Sequence, residues 1–180
     1  MTRISLLLPA AVLCLAAAPA TKPPPVKPAP PKAAPKAAAT FDATNPQGLM
    51  DILGAAGAKA QTSRREADAV FVAVTSAVAN FSMQFAGCNA QGRACRAVLL
   101  DQAMGRGNVS AAQVNAFNQT SVMCRLYQDR GGQNHVVYSA ILFRTMTRAD
   151  AETHLLAWQG CLADALDFQK DPAGYLVDAA

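Results

Sequence analysis

The sequence is poor in the features by which many enzymes are recognised. It has no G-x-G-x-x-G or Walker loop for phosphates, no H-E-x-x-H zinc motif and no G-x-S-x-G nucleophile elbow. Its aspartates and glutamates are scattered instead of paired, and its two histidines, His135 and His154, have no evident partner in the sequence. These absences favour a non-enzymatic protein with neither a catalytic residue set nor a cofactor.

Charge of one sign is also scarce in the part of the chain that can fold. The formal net charge is +4, but residues 1–39 hold five of the 16 basic side chains and no acidic one. From Thr40 onward the remaining 11 basic residues stand against 12 acidic ones, a net charge of −1. A near-neutral domain lacks the basic surface of a nucleic-acid-binding protein, so we expect no nucleic-acid partner.

The N-terminus lacks an apolar run long enough to span a membrane, which takes about 20 residues. The run from Ile4 to Ala18 is interrupted by Pro9, follows the basic Arg3 and ends at a small-x-small site. These are the parts of a cleavable secretory signal peptide. We therefore expect residues 1–20 to be a signal peptide, the mature protein to be periplasmic or secreted, and no transmembrane span to remain after cleavage.

Residues 21–39 are rich in proline, alanine and lysine. Proline favours the extended polyproline II conformation, and lysine keeps the segment in water. This composition indicates a semi-rigid linker that reaches at most about 60 Å, at about 3.1 Å per residue. The alternative is a cationic tether that holds the protein on an anionic surface of the cell envelope.

The pattern from 40 to 169 predicts one α+β domain. Helix signals begin and end this region, and runs with the two-residue period of strands lie between them. The order is α-β-β-β-β-α-β-β-α, in which the first strand, over 58–62, has the weakest pattern. Strands joined by hairpins form antiparallel sheets. We therefore expect about five to six antiparallel strands with flanking helices, followed by a loose tail over 170–180.

Three of these elements carry detailed predictions. The strand at 69–76 is apolar on both faces, which predicts a central place in the sheet. The strand at 122–128 should place Val122, Cys124 and Leu126 on one face. The last helix, over 148–168, has an apolar stripe at helical spacing, with Cys161 on its flank. The stripe consists of Leu155, Trp158, Leu162 and Leu166.

Four cysteines remain after signal cleavage, and an even count in an exported protein indicates two disulfides. Cys88 and Cys95 lie at the two ends of a hairpin loop, where strand ends are close enough for a structural disulfide. Cys124 and Cys161 either form a second disulfide, if the last helix covers the strand, or stay as two buried thiols. A redox pair or a zinc site that uses Cys88, Cys95 and a histidine is the less favoured alternative.

Two groups of polar side chains are candidates for a binding surface. Asn80, Ser82 and Gln84 alternate with apolar residues, so they form the wet face of a strand. Asn115 and Asn118 lie three residues apart on one side of the second helix. Either asparagine could contact a ligand, although a tie between the end of the helix and the next strand is the simpler role.

Three short stretches resemble the YbjN family of bacterial proteins, and the likeness covers about residues 41–168. They are Asn45-Pro46 with Leu49, Leu53 and Gly57 in the first helix, Phe85-Ala86-Gly87-Cys88 with Cys95 in the hairpin, and Val114-Asn115-Ala116-Phe117-Asn118 in the second helix. The order and spacing of the three stretches carry the likeness.

This resemblance implies a fold similar to that of type III secretion chaperones, and a binding or adaptor protein that is no enzyme. We therefore expect a protein or peptide partner. Chaperones of the similar fold are dimeric, so a homodimer is an expectation as well. The signal peptide and the linker are additions to the family pattern, and they argue against a cytoplasmic regulatory role.

Overall fold

The computed structural model describes residues 40–106 and 109–178. The predicted signal peptide (1–20) and linker (21–39) lie outside these residues. The described elements, in chain order, are α1 (Pro46–Ala55), β1 (Lys59–Arg65), β2 (Ala69–Thr75), β3 (Asn80–Ala86), β4 (Ala97–Gly105), α2 (Ala111–Thr120), β5 (Arg125–Gln128), β6 (Asn134–Ile141), α3 (Arg148–Lys170) and α4 (Pro172–Asp178).

The strands form one six-stranded sheet in the spatial order β1-β2-β3-β4-β6-β5. Every neighbouring pair is antiparallel. Helix α2 connects β4 to β5, and β6 then returns between those two strands. The predicted α+β class, the antiparallel sheet with flanking helices and the element order are confirmed, and α4 is an addition.

One face of the sheet carries the core. A row of paired residues crosses the four inner strands, namely Val72, Met83, Leu100 and Tyr138, and each of these side chains is buried. Buried residues of α1 and α3, together with Phe117 of α2, complete the same cluster. The helices therefore cover one face of the sheet, and the opposite face stays open.

The predicted central place of β2 is confirmed, although the outer face of the strand is open. β2 does lie inside the sheet, between β1 and β3, but Ala73 is exposed and Phe71 is half-buried. The Arg64 guanidinium lies 4.0 Å from the centre of the Phe71 ring, where the cation is attracted to the aromatic face. On the outer face of β2, an arginine from β1 covers Phe71, and no helix does so in the described residues.

The strand predicted from Val122 begins only at Arg125. Val122 is 88% exposed, so it does not share an inner face with Cys124 and Leu126. The Cys124 backbone N–H donates to the Ser121 hydroxyl at 3.1 Å, which closes a turn before the strand. A local side-chain bond of this kind competes with strand pairing, and β-branched composition alone did not reveal it.

The tail that was expected to be loose contains helix α4 over its described part. Tyr175 lies with its ring centroid 5.6 Å from both Phe117 and Phe168. These two phenylalanines also contact each other, at 5.0 Å, and both are fully buried. One aromatic residue thus anchors a segment that its proline and glycine content predicted to be irregular.

Both predicted disulfides are present. The Cα atoms of Cys88 and Cys95 are 3.8 Å apart, and those of Cys124 and Cys161 are 5.4 Å apart. Cys161 was expected on the flank of the α3 stripe but is 1% exposed, because α3 turns this side towards the 121–124 turn. The second bridge therefore connects the longest helix to the start of the edge strand β5.

We expect the Cys124–Cys161 bridge to contribute more stability than the Cys88–Cys95 bridge, because it closes a longer loop. The sequence separations are 37 and 7 residues, which correspond to about 4 and about 2.5 kcal/mol on the chain-entropy model. Urea unfolding of the double variants Cys124→Ala/Cys161→Ala and Cys88→Ala/Cys95→Ala measures both losses. Equal losses, or the reverse order, would contradict this account.

Candidate functional site

An apolar groove lies between the C-terminal end of α1, the β2–β3 turn and one side of α3. It has a volume of about 390 Å³, within the usual range of ligand sites. Its lining is largely aliphatic and aromatic. The lining residues are Leu53, Ala56, Ala58, Ser76, Val78, Ala79, Phe81, Gln102, Leu155, Trp158, Gln159, Leu162, Ala163 and Leu166.

A second cavity of about 420 Å³ continues the groove towards the start of α3. The two cavities share Leu53, Ala56, Leu155 and Gln159, so they form one surface feature. We call the combined feature the α1–α3 groove. Its α3 wall extends from Arg148 to Leu166.

The local sequence explains why the groove exists. Helix α1 ends at Ala55, and the chain then turns through Gly57, whose φ of +83° favours glycine. The short side chains of Ala56 and Ala58 follow at this end, so the wall opposite α3 is low. Across the groove, the Ser76 hydroxyl donates to the Ala79 carbonyl at 2.8 Å and fixes the β2–β3 turn.

The cavity of about 390 Å³ has no charged residue in its lining, and the cavity of about 420 Å³ is lined by the oppositely charged Arg148 and Glu152. Two buried polar atoms in the wall of the groove have no hydrogen-bond partner in the described residues, the Oε1 acceptor of Gln102 and the Nε1–H donor of Trp158. Trp158 is 1% exposed, and its ring stands edge-on to Phe81 at 5.4 Å. A buried polar group without a partner costs about 1–3 kcal/mol.

A cluster of polar side chains lies on the open face of the sheet and crosses three strands. Asp101 of β4 accepts from the Tyr127 hydroxyl of β5 and lies beside His135 Nδ1 of β6, both at 2.8 Å. The Tyr127 and His135 rings stack at 4.7 Å. His135 Nε2 is 3.9 Å from the Asp129 carboxylate. The histidine thus has two acidic neighbours that the sequence did not reveal.

This cluster is arranged to brace the sheet edge. Burial raises the pKa of Tyr127 to about 12, and the Asp101 hydrogen bond and charge add to the shift. A phenol with a raised pKa is a poor nucleophile at neutral pH. Both Asp101 oxygens are engaged by neighbouring side chains, so the cluster holds the short strand β5 to the middle of the sheet.

The other histidine, His154 of α3, also has a partner. Its Nδ1 lies 2.6 Å from the Tyr138 hydroxyl of β6. Burial raises the pKa of Tyr138, which keeps the phenol protonated as a donor. His135 therefore lies on the open face of β6, whereas His154 contacts Tyr138 on the covered face. Neither histidine forms a possible metal-binding group with Cys88 and Cys95 in the described residues.

The polar residues predicted as a binding surface do not line the α1–α3 groove. Asn80, Ser82 and Gln84 lie on the open face of β3, opposite the face that carries Phe81. Asn115 is exposed on α2. Asn118 donates to the Leu126 carbonyl at 2.9 Å and accepts from the Leu126 N–H at 2.8 Å, so it ties α2 to β5. A ligand role for the other four stays a prediction.

The groove residues were missed because they read as ordinary core residues. Leu166 was placed in the core stripe of α3, yet it is 46% exposed, and Leu156 beside the stripe is 65% exposed. The signal was available in the sequence, since α3 has apolar residues on two adjacent sides. One helix side is enough to cover a sheet, so the second side indicates a further contact.

Two findings apply to residues 40–106 and 109–178. No group of three or more histidine, cysteine, aspartate or glutamate side chains there is arranged to hold a metal ion. No helix in the same part of the chain is long and apolar enough to cross a membrane.

The fold and the groove define a disulfide-bonded α+β domain with a largely apolar groove between α1 and α3. A scan against protein-family models, a search of curated proteins and a search of solved structures each return no match for this chain. The resemblance to the YbjN family therefore stays a prediction from the three sequence stretches.

We expect Asn118→Ala to lower the free energy of unfolding by about 2 kcal/mol, because two partly buried hydrogen bonds are lost at about 1 kcal/mol each. Asn115→Ala, on the exposed side of the same helix, is the matched control and should change it by about 0.5 kcal/mol at most. Urea unfolding measures both. Unchanged stability in Asn118→Ala would show that the tie does not hold the helix.

We expect Tyr127 to ionise at about pH 12 in the folded protein, whereas an unfolded tyrosine ionises near pH 10. Because the fold favours the neutral phenol, this contribution to stability is complete below about pH 10 and is lost as the pH rises through 12. Phenolate absorbance during an alkaline titration measures the step, and Tyr127→Phe identifies it. Asp101→Asn should move the step to lower pH. A normal Tyr127 step in the native protein would refute the described environment.

Proposed function

We propose that this protein is an exported, non-enzymatic binding module that holds an apolar segment of a partner polypeptide in the α1–α3 groove. The observation that carries this proposal is the apolar groove, whose 390 Å³ cavity has no charged residue in its lining and includes Gln102 and Trp158, each with a buried polar atom that has no partner in the described residues. An occupant that fits is apolar, neutral where it is buried, and able both to donate and to accept one hydrogen bond.

A polypeptide segment meets these requirements. Aliphatic side chains match the lining, and backbone or Asn and Gln amides both donate and accept. The apolar rim is also exposed in the domain, with Val78 at 90% and Leu156 at 65%. Contiguous exposed apolar surface of this kind typically marks an interaction site.

Two further observations support an exported protein with a binding role. Two disulfides are typical of proteins from oxidising compartments, which agrees with a signal peptide over 1–20 and a spacer over 21–39. The resemblance to the YbjN family, with its chaperone-like fold, supports a binding role for the domain. In this reading the disulfides are structural, and the protein uses no cofactor.

The test is a screen of surface-displayed random peptides with the mature protein, repeated with the variant Ala163→Arg. Ala163 is exposed and lines the groove, so arginine there should leave the fold intact and place a charge against the occupant. We expect apolar peptides to be selected, and the variant to bind them at least about tenfold more weakly, a loss of about 1.4 kcal/mol.

The matched control is Ala73→Arg, which adds the same charge to the open face of the sheet, where Ala73 is exposed. The chain has one tryptophan, so Trp158 fluorescence reports groove occupancy directly. Selected peptides that bind Ala163→Arg as tightly as the original protein, or that leave Trp158 fluorescence unchanged, would refute the groove as the site.

A further inference from the structure

Helix α3 carries two parallel stripes at helical spacing, one wholly apolar and one that includes Gln159 among apolar residues. The buried one, Leu155, Trp158, Leu162 and Ala165, faces the sheet. The second stripe is offset by one residue, is exposed and lines the groove. It consists of Leu156, Gln159, Ala163 and Leu166. Its spacing of three, four and three residues is that of a coiled-coil seam.

The length of the groove also fits a helix. Its α3 wall extends from Arg148 to Leu166, which is about 27 Å at 1.5 Å per residue. A helix of about 18 residues has that length and presents its apolar residues at matching intervals. Gly160 has no side chain and Ala163 has a small one. A second helix axis can therefore approach α3 closely.

An extended peptide fits this groove poorly. Its walls are α1, α3 and the β2–β3 turn, and helix backbones already use their hydrogen-bonding groups internally. An extended segment would therefore bury backbone groups with only Gln102 and Trp158 to pair with them. A helix satisfies its own backbone, and one Asn or Gln side chain in its apolar face can serve both wall atoms.

The charged rim indicates the sign of the partner. Asp164 and Asp167 are exposed and follow the second stripe on its solvent side, at positions four residues after Gly160 and Ala163. Lys170 pairs with Asp167 at 2.9 Å, which leaves the rim acidic at this end. At the other end Arg148 and Glu152 neutralise each other at 2.8 Å.

We propose that the occupant of the α1–α3 groove is a basic amphipathic helix of a partner protein, about 18 residues long, that lies along α3. This inference rests on the proposed function. The helix contacts Leu156, Ala163 and Leu166 with its apolar face, presents one side-chain amide to Gln102 and Trp158, and places lysines or arginines beside Asp164 and Asp167.

The probe is a synthetic peptide of about 18 residues with leucine at seam positions, one central asparagine in the seam, lysine at the flanking positions and no tryptophan. A second peptide replaces two central residues by proline, which prevents a continuous helix. A third replaces every lysine by glutamate. Titration calorimetry gives the affinities, and Trp158 fluorescence confirms that the groove is occupied.

We expect the lysine peptide to bind at least about tenfold more tightly than either other peptide, and to weaken as salt is added. The double variant Asp164→Lys/Asp167→Lys should reverse the preference between the lysine and glutamate peptides. Ala73→Arg should change neither. This reversal would show that the rim contacts set the preference, and that general attraction between a cationic peptide and an acidic protein does not.

The outcomes distinguish the inference from the function on which it rests. Binding of the proline peptide as tightly as the lysine peptide overturns the helix, and an unchanged preference in the double variant overturns the basic rim contact. Failure of all three peptides to bind overturns the inference, while apolar peptides from the random screen that are sensitive to Ala163→Arg still support the proposed function. If those also fail, both proposals are refuted.

Discussion

The domain depends on the burial of one face of its antiparallel sheet. Six strands expose a wide apolar surface, and the helices that cover it must come from a chain of modest length. The 23-residue α3 is the main cover, and α1 covers the far end with only ten residues. Because the two helices do not meet along their whole lengths, the groove between them is a direct consequence of how this face is covered.

The disulfides and the polar clusters act where that cover is thinnest. The edge strand β5 has four residues, too few to be secure through pairing with β6 alone. The Cys124–Cys161 bridge, the Asn118 tie and the Asp101–Tyr127 bond all hold it from different sides. These restraints concentrate at one edge of the sheet, and the Cys124–Cys161 bridge also fixes α3, one wall of the groove.

The sequence predicted the backbone of this fold well, because periodicity reports which side of an element is buried. It identified the antiparallel order, the order of the elements and the disulfide between the hairpin cysteines. It failed at Val122 and Tyr175, where a local turn and a single aromatic contact decide the outcome. The groove was missed for a different reason. Apolar residues that line a groove are of the same types as core residues, and only their exposure distinguishes Leu166 from Leu162.

The exposed surface of the groove also limits how tightly it can hold a partner. Full burial of a leucine or valine contributes about 1.5–3 kcal/mol, and Val78, Leu156 and Leu166 are already partly covered. Their gain on binding is therefore on the order of 4 kcal/mol, comparable with the low end of the entropic cost of association. The hydrogen bonds to Gln102 and Trp158 and the charges of the rim must then supply most of the net affinity. For the occupant proposed above, a site balanced in this way binds reversibly, since neither the apolar nor the polar contribution is large alone.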